Sequence, residues 1–232
     1  MMNGDWDQEL LWSLNSFGGS ESRYLWELVN NHLFSGFPLF FALIALWFSG
    51  DCGERRSRML TGLLAVCVAT VLSVWMQFHL AGHTRPLLDP ALQLKIIDDH
   101  RWRVAWDRTG SFPSDTATLF FALATVILLE NRLVGLFCFL WTTTVIALPR
   151  VIFAWHYPSD IIGSLVLGPT CVFLFSAIPY PRIMFERVLT WFEGRMYIVH
   201  ALLFIFLSDA ANLFQGLQQA GKSLVRMWGQ FR

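Results

Sequence analysis

A chain of 232 residues with 17 Lys and Arg against 17 Asp and Glu has no formal net charge, so nothing in its balance favours a nucleic-acid partner. At 55% hydrophobic and 16% aromatic, with mean hydropathy +0.48, it is too apolar for an ordinary soluble domain. Cys67, Cys138 and Cys171 fall in apolar runs and Cys52 in a basic loop, a pattern that makes neither a disulfide framework nor a zinc site.

In chain order, residues 5–18 are predicted to form an amphipathic helix lying on the membrane surface, and the acidic start lacks the positive region of a cleaved signal peptide. Six apolar stretches of bilayer-crossing length follow, over 27–49, 59–80, 114–129, 133–149, 157–178 and 195–213. The first is the weakest, with Asn30, Asn31 and His32 at its head. The tail from 214 to 232 mixes Leu217, Leu224, Trp228 and Phe231 with Lys222, Arg226 and Arg232, as a basic surface helix does. The expected fold is an all-α integral membrane protein: an exoplasmic, interfacial N-terminus over 1–26, one bundle of about six transmembrane helices over 27–213, and a C-terminal amphipathic helix over 214–232. Eleven Trp suit interfacial anchoring.

Short-loop charges set the expected orientation. Arg55, Arg56 and Arg58 precede the second span, Arg132 follows the third, and Arg182, Arg187 and Arg195 precede the sixth, which places these loops in the cytoplasm. Residues 81–112 and 150–156 then face the exterior together with the N-terminus. The basic tail would be exterior too, against the rule. Either 195–213 does not fully cross or the tail is an exception, and sequence does not choose.

Two polar clusters land on that exterior side. One is Phe112-Pro113-Ser114-Asp115-Thr116. The other runs from Pro149 to Asp160 and sets Arg150 six residues before His156 and Asp160 four after it. A single Arg at a membrane helix end commonly snorkels to headgroups, but the combination suits phosphate chemistry. Arg pairs with phosphate oxygens, an imidazole can attack phosphorus, and a carboxylate fixes the ring. Pro113 suits the first turn of the helix running to 129, whose free N–H groups and Ser114 hydroxyl would seat an anion. Arg85 and Arg150 would add charge, and His156 is the candidate nucleophile, forming a phosphohistidine that water hydrolyses, with Asp160 orienting it. Asp115 is read as structural, favouring the helix dipole. No metal or other cofactor is expected.

The Arg150–His156–Asp160 spacing resembles the third signature of the type 2 phosphatidic acid phosphatase superfamily, with Pro149 where that signature has Ser. Pro113-Ser114-Asp115-Thr116 is similar to its second, Pro-Ser-Gly-His, and Arg85-Pro86 to the end of its first, with Phe78 where Lys is expected. Ser111-Phe112-Pro113-Ser114-Asp115 followed by Ala117-Thr118 resembles most the bacitracin-resistance type of undecaprenyl pyrophosphate phosphatase. The resemblance implies catalytic His156, Asp160 and Arg150, with phosphate held by Arg85, Ser114, Arg150 and Thr116. It also implies a bacterial inner-membrane location, with the site facing the periplasm or exterior.

Thr116 stands where the family has a His that protonates the leaving oxygen. An alkoxide leaves badly without an acid, at a cost of about 10²–10⁴-fold. A phosphate monoester, with a second pKa of about 6, leaves without one. Retained activity would therefore favour a lipid pyrophosphate. His79, His83 or His100 could alternatively donate the proton, though each reads more simply as a solvated loop residue. Three functions follow: a polyprenyl-pyrophosphate phosphatase, a lipid or glycan phosphotransferase on the same scaffold, and a catalytically degenerate lipid-binding protein. Partners are a lipid phosphate or pyrophosphate and membrane lipids. Sequence does not give the oligomeric state.

Overall fold

The structure is a computed structural model and describes residues 5–19, 22–49, 52–80, 84–96 and 110–211. The expected surface helix over 214–232, and His83 and His100, lie outside the described residues. All regular structure among the described residues is helical: α1 (Asp5–Asn15), α2 (Arg23–Asn30), α3 (His32–Phe48), α4 (Cys52–His79), α5 (Asp115–Glu130), α6 (Arg132–Ile152), α7 (Pro158–Ala177), α8 (Pro179–Trp191) and α9 (Met196–Ala211). Two single 3₁₀ turns, Pro86–Leu88 and Pro90–Leu92, shape the segment after α4. The stretches Arg23–Phe48, Gly53–His79, Arg132–Ile152 and Pro158–Ala177 are long and apolar enough to cross a bilayer.

The bundle is organised around α5. Its residues from Thr116 to Ile127 are all buried, and α3, α4, α6 and α7 pack around it. At 16 residues it is about 24 Å long, short of the ~30 Å hydrocarbon core. A helix sheathed by its neighbours has no need to reach the headgroups, and its polar ends are met inside the protein. Close approach to α7 depends on Gly168, where a Cβ would stand 2.7 Å from the Thr118 carbonyl oxygen and 3.0 Å from the Ala122 nitrogen.

Local chemistry explains the breaks. The first expected span is two helices, because Asn31 leaves the helical conformation and caps α3, its side chain accepting the Phe34 N–H at 3.2 Å. Within α6, Pro149 lacks the N–H that the ladder needs, and a π-helical turn at Thr142–Ala147 precedes it. Helix α8 was not anticipated from sequence. Pro179 opens it, and Arg182 reaches Glu54 at 2.6 Å and Glu186 at 3.0 Å, tying it to the start of α4. There Arg58 also grips Glu130, at the end of α5, through two 2.9 Å bonds. The opposite end of α4, the start of α5 and the start of α7 converge on the polar clusters.

Helix α1 presents Asp7, Leu11 and Asn15 to the protein, all buried, and leaves Trp6 and Leu10 exposed. Two of the three buried residues are polar, and the apolar Trp6 and Leu10 face outward, as suits a helix held between protein and bilayer surface.

Candidate active site

The site is built where α6 ends. Arg150 lies in the last turn of the helix rather than in the loop after it. Its carbonyl receives the N–H groups of Trp155 and His156, at 2.9 and 3.2 Å. Ala154, at φ 58, turns the chain through the left-handed region, so the loop folds back over the helix end and aims His156 inward. The His156 ring is 2% exposed.

Both ring nitrogens are engaged. Nδ1 lies 2.9 Å from the Ser111 carbonyl oxygen and 3.3 Å from Asp160 Oδ2, while Nε2 lies 3.1 Å from Arg85 Nη1. A carbonyl oxygen can only accept, so the neutral ring carries its proton on Nδ1. The Nε2 lone pair then accepts from Arg85. Burial, and then the Arg85 charge, lowers the His156 pKa below its ordinary value, while Asp160 opposes the shift. Burial also lowers the Arg85 pKa, with Asp115 and Asp160 resisting. The Tyr157 phenol, buried beside Asp89, Asp160 and Asp7, is pushed up to about 12 and stays protonated.

Asp160 sits in the first turn of α7, where its Oδ2 accepts the Tyr157 N–H at 2.9 Å, and its Oδ1 has no partner among the described residues. Arg150 is buried with its Cζ 5.3 Å from the Trp155 ring centroid. Its Nε and Nη2 have no partner among the described residues. Buried guanidinium donors are rarely left unmet, and these two sit where Arg85, Asp115 and His156 also converge.

The second cluster differs from expectation in detail. Helix α5 starts at Asp115 with Ser114 as its N-cap, so Pro113 stands outside the first turn. Serine is the stronger cap, and its hydroxyl accepts the Ala117 N–H at 3.4 Å. Asp115 Oδ1 accepts the Thr116 N–H at 2.8 Å, with the Thr116 hydroxyl 3.4 Å away. The helix end expected to seat an anion is therefore capped by its own side chains. Asp115 performs that structural task and also lies within electrostatic reach of Arg85, His156 and Arg150.

The structure thus brings Arg85, Ser114, Thr116, Arg150, His156 and Asp160 to one end of the bundle. His79, the last residue of α4, is at the same end but exposed, its ring stacked on Trp75 at 4.7 Å and its Nδ1 2.9 Å from the Trp75 carbonyl oxygen. Sequence reasoning missed Gln77. Its amide donates to the Pro113 carbonyl at 2.7 Å and its Oε1 lies 3.5 Å from Arg85 Nη2, linking the end of α4 to Arg85 and to the Pro113 cluster. Nothing in the sequence marked it, since its burial and its partner 36 residues away are visible only in the folded chain. Ser164, one turn after Asp160, was missed as well. Its hydroxyl stands 2.9 Å from the Ser114 carbonyl and 2.8 Å from that of Asp160, fastening α7 to the cap of α5.

These features match known proteins. The chain belongs to the PAP2 superfamily, whose pattern matches residues 58–184. It is 32% identical over 132 residues to YbjG of Escherichia coli strain K12, provisionally named an undecaprenyl-diphosphatase, covering 56% of this chain and 60% of that protein. It is 27% identical over 142 residues to the undecaprenyl-diphosphatase BcrC of Bacillus subtilis strain 168, covering 57% of this chain and 63% of that one. The chain therefore spans under two thirds of either relative's length. No solved structure matches.

Proposed function

We propose that this protein is a membrane phosphatase that hydrolyses a polyprenyl pyrophosphate through a phosphohistidine at His156. The observation that carries the proposal is the His156 ring itself, with Nδ1 held by Ser111 and Asp160 and Nε2 turned to Arg85. The unmet Arg150 donors stand in the same charged cluster. The names of the two relatives support the substrate class.

In the proposed reaction, Arg85 and Arg150 take the oxygens of the terminal phosphate, and Nε2 attacks its phosphorus. The bond from phosphorus to the bridging oxygen breaks, its electron pair leaving with the lipid monophosphate. Asp160 and the Ser111 carbonyl stabilise the Nδ1 proton as positive charge builds on the ring. Water then attacks the same phosphorus, the Nε2–P bond breaks, and inorganic phosphate departs. No residue at 116 need protonate the first leaving group, because a phosphate monoester has a second pKa of about 6. The His156 loop and the start of α7 are proposed to face the exterior of a bacterial inner membrane, opposite the Arg-rich end at Arg55, Arg58 and Arg182. The chemistry calls for no metal.

Phosphate release from a polyprenyl pyrophosphate and from phosphatidic acid, measured with the purified protein, tests this. Preference for the pyrophosphate and its loss in His156→Ala are expected. Equal rates on the two lipids would remove the leaving-group argument, and an unaffected His156→Ala variant would remove the nucleophile.

A further inference from the structure

Helix α1 lies outside the segment that matches the superfamily, residues 58–184, yet it holds the catalytic loop at both ends. At the loop's start, Asn15 Nδ2 donates to the carbonyl of Ile152, the last residue of α6, at 2.9 Å. At its end, the Asp7 carboxylate takes the Ser159 N–H on Oδ1 at 2.9 Å and the Ser159 hydroxyl on Oδ2 at 2.6 Å. Asp7 and Asn15 are eight positions apart, a rigid helical span of about 12 Å. Between these fixed ends run Phe153 to Pro158, with the left-handed Ala154 and the buried His156. Leu11, at the centre of α1, packs with Val151, Tyr157 and Leu92 beneath the same loop. Asn15 also donates to the Lys95 carbonyl at 3.0 Å and accepts the Lys95 N–H at 2.8 Å, joining the segment after Arg85 to the same brace.

A buried carboxylate is costly unless fully hydrogen-bonded. Asp7 is 1% exposed, and its two bonds go to the residue next to Asp160. Its charge also sits at the N-terminal turn of α7, where the helix dipole favours an anion. The position of that turn decides where Asp160 Oδ2 meets His156 Nδ1.

We infer that α1 is a splint for the catalytic loop, with Asp7 and Asn15 as positioning residues that act through Ser159 and Ile152 on Asp160 and His156. The inference rests on the proposed hydrolase function. Misplacing a reacting group by about 1 Å costs on the order of 10²-fold in rate, so Asp7→Ala should lower kcat about 10²-fold with KM nearly unchanged. Asp7→Asn keeps an acceptor for the Ser159 N–H and loses the carboxylate's second acceptor for the hydroxyl. It should recover part of that loss, to about tenfold below wild type.

A second readout does not depend on turnover. Acylation of His156 by diethyl pyrocarbonate, followed by mass spectrometry with His79 and His200 of the same molecule as references, should rise several-fold in Asp7→Ala as the loop loosens. Wild-type kcat in Asp7→Ala, or unchanged His156 acylation in either variant, overturns the splint. If Asp7→Ala does not fold in detergent, Asp7→Asn decides by the same two measurements. If the wild-type protein releases no phosphate from any lipid, the hydrolase reading fails, and the acylation ratio alone decides whether α1 holds the loop.

Discussion

Because the Ser111 carbonyl fixes the Nδ1 proton and Arg85 faces Nε2, opposite predictions follow for the two neighbours of His156. In the proposed reaction the nucleophile is the neutral ring, and its pKa is depressed from 6.5. The acid limb of kcat/KM should therefore lie below pH 6.5, with activity lost as pH falls through the lowered value. Removing a cation that opposes protonation raises the pKa, so Arg85→Met should move the limb upward. Removing a carboxylate that favours protonation lowers it, so Asp160→Asn should move the limb downward while reducing the rate. Shifts of the same sign in both variants would contradict this charge arrangement. Thr116 supplies a separate test. Thr116→His should raise phosphatidic acid hydrolysis far more than pyrophosphate hydrolysis, up to the ~10²–10⁴-fold reach of acid catalysis, because an acid matters most where the departing oxygen is most basic. Equal gains on both substrates would point to repaired binding geometry instead.

Among elements, the pairing of α5 with α7 carries the site, since Ser114 caps one helix, Asp160 starts the other, and Ser164 bonds to both backbones. Gly168, one turn beyond Ser164, sets their separation. A methyl group there would meet backbone atoms that cannot swing aside, so Gly168→Ala should cost about 1–3 kcal/mol of stability as an overpacking change. A lowered melting temperature in detergent, with activity falling alongside it, is the expected result, and an unchanged melting temperature would show the interface to be loose. The helices themselves were legible from sequence because runs of apolar residues at bilayer length admit few other structures. Breaks in those runs were less legible. Asn31 hinted at the division of the first span, but the π turn before Pro149 and the helix α8 answer to tertiary packing. Arg150, His156 and Asp160 were readable because one turn of chain and one helix start bring them together. Gln77, the Ser111 carbonyl and Asp7 were not, since their partners lie 36, 45 and 152 residues away and a carbonyl has no signature in a sequence.

For the molecule as a whole, the distribution of arginines follows the two ends of one bundle. At one end Arg55, Arg58 and Arg182 share Glu54, Glu130 and Glu186. At the other, Arg85 and Arg150 converge on His156 and Asp115. Positive charge near short loops favours retention in the cytoplasm, so the end with more basic side chains in its loops should lie inside and the site outside. The sidedness can be measured directly in intact bacterial cells producing the full chain, with Cys52, Cys67, Cys138 and Cys171 replaced. Ala91→Cys, exposed on the turn that follows Arg85, should react with a membrane-impermeant maleimide from outside. Glu193→Cys, exposed after α8 near the Arg-rich end, should react only after the cells are permeabilised. The reverse pattern would put the site in the cytoplasm and end the exterior assignment. Equal labelling from outside would mean that the two ends do not lie across a membrane from each other, which the lengths of α4 and α7 argue against. Helix α4, at 28 residues, spans about 42 Å and α7, at 20, about 30 Å, enough to separate two aqueous faces.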